Sequence, residues 1–384
     1  MNTPVHTIAV NIGGGYVPGI NSVITGAVLA ANELGWDVVG IRDGFDGLLF
    51  PDRYPEGGVV PLTPRMVRHL SPTGAVLGTA PRSDPFRVRT VNADNQIEEI
   101  DRSDELLAKL RTEKIDAVIS VVSSAALSVL FKLHRKGLAT VCVPKSAEND
   151  VAGTLLSFGF NSTLSYTVET LERVREAAES ARRIGVVEVL GEHSGWLALQ
   201  AGMAVCADAV LIPEIPFDLR KVAEKLRAKA KAGQEYGLVV VAAGATPAAG
   251  SEIIESAAPN PMRASLAPLA TGPEDSYVID QSGRMAHSVA LQLQRLTDQQ
   301  TYPLVLGPLV KGGPPTAVDR QLGLGYGAGA VRAIQDGQCG VMVAFQPPDL
   351  KFVPLAEAIN KIRTVPRDSL FVQLSRSLGI ALGD

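Results

Sequence analysis

Six short runs rich in valine and isoleucine set the fold: Thr7–Val10, Ile115–Val122, Thr140–Val143, Gly185–Val189, Ala209–Ile212 and Leu238–Ala243. Most lack strict alternation of apolar and polar residues, the pattern of parallel strands that helices cover on both faces. Helical stretches separate them. Ser22–Leu34 places Val23, Ala27, Ala30 and Leu34 on one face. Thr167–Arg182 carries Glu172 with Arg175 and Glu179 with Arg182 at helical spacing, as a solvated face does. Lys221–Lys231 is a further helix of alternating charge. Strand–helix alternation of this kind predicts an α/β protein. With 384 residues the chain forms two domains or one large α/β unit, either of which buries a substantial core. Pro51–Pro64 reads as a surface loop. Gly244–Gly272, with prolines at 247, 259, 261 and 268, reads as a long excursion or lid.

Charge and composition exclude several classes. The 36 Lys and Arg stand against 40 Asp and Glu, a net charge of −4, so no nucleic-acid partner is expected. An apolar fraction of 46% argues against disorder. The longest apolar-leaning run, Ala117–Phe131, holds four serines and falls short of the roughly 20 residues a membrane span needs, so no membrane partner is expected either. No signal-peptide pattern opens the chain, and Cys142, Cys206 and Cys339 are too scattered for a disulfide framework; both point to a cytoplasmic address. The five histidines (6, 69, 134, 193 and 287) show no metal-ligand spacing, which predicts no zinc site.

Two segments carry most of the chemical signal. Thr7–Asn21 is a strand that runs into Gly13-Gly14-Gly15 and then a helix. Exposed backbone N–H groups and the positive end of the helix dipole together suit a phosphate, although a tight strand-to-helix turn needs the same glycines. Neither a P-loop nor a dinucleotide fingerprint is present, because Pro18 stands where the third glycine belongs. Val141–Asp150 follows a strand, where doubly wound folds place ligands. There Lys145 suits a phosphate, and Glu148 and Asp150 suit a general base or a metal-binding group; a merely solvated charged loop is the alternative. Gly191–Gly195 resembles a hydrolase elbow only loosely, since Ser194 comes one place too late. Gly323–Gly329 follows no strand, so its glycines point to close helix packing rather than a nucleotide loop.

Taken in order, these segments resemble the phosphofructokinase family, and most closely its pyrophosphate-dependent branch. Gly14-Gly15-Tyr16-Val17-Pro18-Gly19-Ile20-Asn21 matches the family's opening Gly-Gly-x-x-Pro-Gly-x-Asn. Asp43–Leu48 matches Asp-Gly-x-x-Gly-Leu, and Gly78–Arg82 resembles the donor-phosphate motif Gly-[Ser/Thr]-x-Arg with one extra residue. Pro144–Asp150 is similar to Pro-Lys-Thr-Ile-Asp-Asn-Asp, whose lysine marks the pyrophosphate users. Arg183–Gly195 resembles the Val-Glu-Val-Met-Gly-Arg-His-Ser-Gly block, Pro213-Glu214 the Pro-Glu pair, and Lys311–Arg320 the Arg-Gly-Gly-Ser-Pro-Thr-Ala-x-Asp-Arg motif. The resemblance covers nearly the whole chain. It implies an α/β fold of two doubly wound, Rossmann-like domains with the active site in the cleft between them. Residues 1–143 with 310–352 form the phosphoryl-donor domain, and 144–309 with 353–384 the acceptor domain.

The resemblance also implies roles. Glu148, Lys145 and Asp150 are the catalytic candidates, with Gly14, Gly15, Tyr16, Arg82 and Ser124 on the donor phosphate. Ser146, Arg183, Leu190, Gly191, Glu192, Glu214, Tyr302, Pro308 and Lys311 fall on the acceptor. Mg²⁺ is the implied cofactor, with Asp150 its candidate ligand. The partners are a small-molecule phosphate donor and a sugar-like acceptor, and the chain is expected to form a homodimer or homotetramer whose neighbours lend Arg183 and Tyr302. Several positions depart from the family. Ser124 stands for the metal-binding Asp of Gly-Gly-Asp, and Glu148 for the Asp base. Glu192 replaces an Arg, Pro308 a His, Lys311 an Arg and Tyr302 a sugar-phosphate Arg. Arg-to-Lys at a bidentate phosphate contact is not conservative, and Arg-to-Glu reverses the charge. The expected activity is therefore phosphoryl transfer from pyrophosphate rather than ATP, to a sugar or sugar phosphate other than ordinary fructose 6-phosphate. The alternatives are a catalytically impaired homologue that binds ligands or regulates a partner, and a scaffold with repurposed chemistry.

Overall fold

The computed structural model describes residues 5–80, 83–91, 96–251 and 283–384. Two compact units emerge. The first comprises Met1–Ala147, Val151–Ser162 and Gly313–Ile362; the second comprises Glu148–Asp150, Thr163–Gly312 and Arg363–Asp384.

The first unit is built on a seven-stranded sheet of β1 (Thr7–Ile12), β2 (Asp37–Ile41), β3 (Val59–Pro61), β6 (Ala117–Val122), β7 (Thr140–Pro144), β12 (Val341–Gln346) and β13 (Asp349–Pro354). The order is β13-β12-β7-β6-β1-β2-β3. The central strands are parallel, and β3 and β13 close the two edges antiparallel. A separate hairpin pairs β4 (Val88–Val91) with β5 (Ile97–Ile100). The segment Pro51–Pro64, read from sequence as a loop, thus supplies an edge strand. An edge tolerates the proline at its end because one row of backbone groups there goes unpaired. Buried β6, every residue of it enclosed, fits the unalternating apolar run that predicted it.

Helix Ile20–Glu33 lies against helix Ala317–Gln335, and the glycine-rich run 323–329 makes this contact possible. A Cβ on Gly327 would stand 2.2 Å from Val23 O, and one on Gly26 would stand 2.2 Å from Leu324 O. Backbone meets backbone there, as the reading of close helix packing expects.

The limits expected from sequence placed 144–162 and 353–362 in the second domain and 310–312 in the first. Hydrogen bonds move most of these residues. Phe345 N donates to Thr154 Oγ1 at 2.9 Å, and Leu155 N donates to Phe345 O at 2.9 Å, tying 151–162 to β12. β13 is laddered to the same strand.

The second unit has a parallel sheet of β8 (Ile184–Val189), β9 (Ala209–Leu211), β10 (Gly237–Ala242) and β11 (Thr301–Val305) in the order β11-β8-β10-β9. Leu219, Val222 and Leu226 of helix Leu219–Lys231 share a core with Val289 and Leu293 of helix Arg284–Thr297 and with strand residues Ile184, Leu211 and Val239. Glu188, 3% exposed in the middle of this core, accepts from Gly283 N at 2.8 Å and Ala286 N at 2.9 Å. It thereby caps the first turn of helix Arg284–Thr297 from a neighbouring strand. Burial pushes its carboxyl above the usual range, and these N–H donors pull it back. Glu188→Ala leaves both donors without this acceptor and is expected to cost about 1–3 kcal/mol. Equilibrium urea unfolding, read by circular dichroism, checks this.

Sequence placed the six runs on six strands, with ends within two residues. The excursion expected over 244–272 falls largely outside the described residues, which resume at 283. Among the described residues no helix is long and apolar enough to cross a membrane.

Candidate active site

In the first unit, β1 ends in the glycine turn. Gly14 has φ of 76°, a backbone conformation that glycine adopts without strain. Its N–H donates to Ala80 O at 3.0 Å, and Gly13 N donates to Val121 O at 3.0 Å. Lys145, 2% exposed, leaves the end of β7 and donates from Nζ to the carbonyl of Gly15. A Cβ on Gly14 would lie 3.2 Å from Ser123 Oγ and 3.3 Å from Lys145 Nζ. Gly14, Gly15, Ser123 and Lys145 therefore converge at the C-terminal ends of β1, β6 and β7, where a parallel sheet presents its ligand-binding loops. A Cβ on Gly15 meets nothing within 4 Å, so the outer side of the turn is open.

Other donor-side candidates are placed less centrally. Tyr16 accepts from Gly74 N on its hydroxyl at 3.1 Å, fastening the turn to the loop before Gly78. Asn21 holds the same loop, donating to Ser71 O and Thr73 O and accepting from Val76 N. Ser124 opens the short 3₁₀ turn Ser124–Ala126. Arg82 lies outside the described residues. Beside Gly13, a cavity of about 20 Å³ is bounded by Asn11, Gly44, Ser83, Val122 and Ala126. That is room for one water molecule and not for a nucleoside.

In the second unit, Glu148, Asp150, Glu192 and Lys311 come together. Glu148 Oε2 accepts from Glu192 N at 3.4 Å. Burial pushes the Glu148 carboxyl up, the neighbouring Asp150 pushes it the same way, and Lys311 opposes both. Gly191, with φ of 142°, makes the turn that presents Glu192, and the Glu192 carboxylate lies 3.7 Å from His193 Nε2. Leu190 is half-buried just before it, and Ser146 is buried with its N–H on Phe158 O in the first unit. Lys311 closes the 3₁₀ turn Gly307–Lys311, on which Pro308 is exposed.

Two acceptor-side candidates, Arg183 and Tyr302, lie at the other end of β8 from this group. Arg183 precedes β8 and Tyr302 pairs with Gly185 at the start of that strand, whereas Glu192 follows its far end. Six strand residues at about 3.3 Å each put roughly 20 Å between them. The Tyr302 hydroxyl donates to Val174 O at 2.9 Å, and burial raises its pKa. Glu214 accepts from Gly195 N at 3.0 Å and from Val365 N at 2.8 Å through the same oxygen. Arg363, which sequence reasoning did not single out, donates from Nη1 to Asn149 O at 3.2 Å and lies over the Trp196 ring at 4.3 Å. No motif marks it, since its partner Asn149 is 214 residues away.

Among the described residues no three His, Cys, Asp or Glu side chains converge to hold a metal by themselves. Mg²⁺ asks less than that: it keeps several waters and takes one or two carboxylates together with substrate phosphates. The Asp150 carboxylate, beside Glu148, fits such an ion.

Comparison with known proteins gives the family. A model described as Phosphofructokinase matches residues 7–334. The ATP-dependent 6-phosphofructokinase of Chloroflexus aurantiacus is 37% identical over 378 residues, 98% of each chain. The pyrophosphate–fructose 6-phosphate 1-phosphotransferase of Amycolatopsis methanolica is 35% identical over 361 residues, 94% of this chain and 96% of that one. The pyrophosphate-dependent phosphofructokinase of Marinobacter aquaeolei shares the fold, with a TM-score of 0.73 at 18% identity over 99% of this chain and 93% of that one. The family match across most of the length, relatives above 30% identity and the α/β architecture agree: the chain belongs to the phosphofructokinase family of phosphotransferases.

Proposed function

We propose that the protein transfers a phosphoryl group from pyrophosphate to a hydroxyl of a sugar-like acceptor other than ordinary fructose 6-phosphate. The observation that carries this reading is the Glu148 loop. A carboxylate is held against the Glu192 N–H in a partly enclosed place, beside one cation and a second carboxylate. Glu148 takes the proton of the attacking hydroxyl. The acceptor oxygen bonds to one phosphorus of pyrophosphate, the bridging P–O bond breaks, and inorganic phosphate leaves with that electron pair. Lys145 and Arg82 stabilise charge on the transferring group. Members of this family work with Mg²⁺; Asp150 is the residue assigned to hold it, and when bound it neutralises phosphate charge.

Pyrophosphate is favoured over ATP by Lys145, buried against the glycine turn. Fructose 6-phosphate is disfavoured by the Glu192 carboxylate and by Tyr302, whose hydroxyl is engaged with Val174. By the family pattern, Arg183 and Tyr302 serve a neighbouring copy in a dimer or tetramer. In a thermal-shift titration pyrophosphate is expected to raise the Tm of the wild type, and the shift is expected to vanish in Lys145→Ala. A shift of equal size in both proteins would remove Lys145 from the donor site.

A second reading, a homologue that binds ligands without turning them over, draws on the turn after β6. It presents the hydroxyls of Ser123 and Ser124 where the family pattern has a metal-binding Asp, and Gly14 N is already bonded to Ala80 O. Pyrophosphate binding without turnover for any acceptor would select it.

A further inference from the structure

The Glu148 loop is short, and Asn149 in it adopts φ of 56°, the left-handed conformation that asparagine takes more readily than most side chains. The holding contacts come from far along the chain. Arg363 donates its backbone N–H to Asp150 O at 2.8 Å and its Nη1 to Asn149 O at 3.2 Å, so one residue grips two successive carbonyls of the loop. The same Arg363 accepts at its carbonyl from Ser194 Oγ at 2.9 Å, and its guanidinium lies 4.3 Å above the Trp196 ring. Two residues on, Val365 N donates to Glu214 Oε1 at 2.8 Å. That oxygen also accepts from Gly195 N at 3.0 Å, immediately before helix Trp196–Ala204. Arg367 adds a bond from Nε to Glu214 O at 2.6 Å. Both carboxylate oxygens of Glu214 face Gly195 N, and a Cβ on Gly195 would stand 2.7 Å from Oε2.

From this geometry we infer that Arg363 and Glu214 are positioning residues: Glu214 pins the segment 363–367, and Arg363 on that segment sets the backbone of the loop bearing Glu148. Glu214 thereby acts through Arg363, beyond the acceptor contact that its Pro-Glu pair implies. The guanidinium suits the task for a physical reason. Its flat face stacks on an indole while its edge donates in plane, and a lysine ammonium, a point charge without a flat face, does not combine the two in this way. Since a misplacement of about 1 Å at a reacting group lowers a rate by about 10²-fold, the loop has little tolerance.

This inference rests on the role proposed for Glu148, and its test separates the two. Hydrogen–deuterium exchange is followed on peptides covering 145–151 in the wild type, Arg363→Met, Arg363→Lys and Glu214→Gln, without substrate. Exchange over 145–151 is expected to quicken at least tenfold in Arg363→Met and to recover little in Arg363→Lys, with helix Leu219–Lys231 unchanged. Glu214→Gln, which keeps the shape and one acceptor, is expected to give a smaller change of the same sign. In steady-state assays kcat is expected to fall about 10²-fold in Arg363→Met while KM for pyrophosphate stays within threefold. Unchanged exchange over 145–151 in both Arg363→Met and Glu214→Gln would overturn the positioning role, as would a fall in kcat/KM carried entirely by KM. Should Arg363→Met not fold, Glu214→Gln decides alone. Wild-type protein without turnover defeats the proposed reaction, and the exchange result still judges Arg363.

Discussion

Glu148→Gln is expected to lower phosphotransfer by about 10²–10⁴-fold, the range a positioned general base supplies. The amide keeps the size of the side chain and can still accept from Glu192 N, but it cannot take a proton from an attacking hydroxyl. Binding of pyrophosphate is expected to persist, because the donor contacts proposed for Gly14, Gly15 and Lys145 lie in the other unit. Single-turnover kinetics beside a binding titration tests both halves. Loss of turnover with retained binding fits a base at Glu148. Turnover within threefold of the wild type would remove it from that role.

Gly327→Ala carries the largest expected effect on stability. The added methyl would stand 2.2 Å from Val23 O and 2.6 Å from Ala27 N, both backbone atoms of helix Ile20–Glu33 that cannot rotate away. The helices must separate, and with them the small-residue contact at Gly26 and Gly323. Overpacking of this kind costs about 3 kcal/mol or more where no side chain can yield. Urea unfolding of Gly327→Ala should show it, and Gly325→Ala is a fitting control: its Cβ would meet only Leu350 Cδ1, at 3.8 Å. Equal loss in both variants would contradict a contact effect, because alanine favours a helix over glycine and propensity alone would stabilise both.

Local pattern made much of the fold legible. Strands buried on both faces, such as β6 and β8, announce themselves as runs rich in Val and Ile. Edge strands do not. β3 is three residues ending in proline, and β13 alternates exposed and half-buried positions beyond a proline-rich turn, so neither stands out from loop sequence. The glycine turn and the Lys145–Asp150 segment were legible because each follows a strand directly. What the sequence could not reveal is how contacts are allocated. Glu214 meets Val365 across 151 residues, and Arg363 meets Asn149 across 214, distances over which spacing carries no signal. The Tyr302 hydroxyl likewise finds its acceptor at Val174, a backbone carbonyl that any residue would have offered.

The substitutions at the acceptor group bear most on substrate choice. Lys311 is the cation that acts on Glu148, facing the charges of Asp150 and Glu192. A dianionic phosphate brought beside that set meets repulsion that a neutral polyol does not. Hydroxyl groups, by contrast, find acceptors in the same carboxylates.

The most direct test of this account follows phosphorus by ³¹P NMR. Purified protein is incubated with Mg²⁺ and either pyrophosphate or ATP against a panel of sugars and sugar phosphates that includes fructose 6-phosphate. Pyrophosphate-dependent phosphorylation of a panel member other than fructose 6-phosphate is expected, at a kcat/KM at least tenfold above that for fructose 6-phosphate. Preferred conversion of fructose 6-phosphate with ATP, or no transfer from either donor to any acceptor, would contradict it.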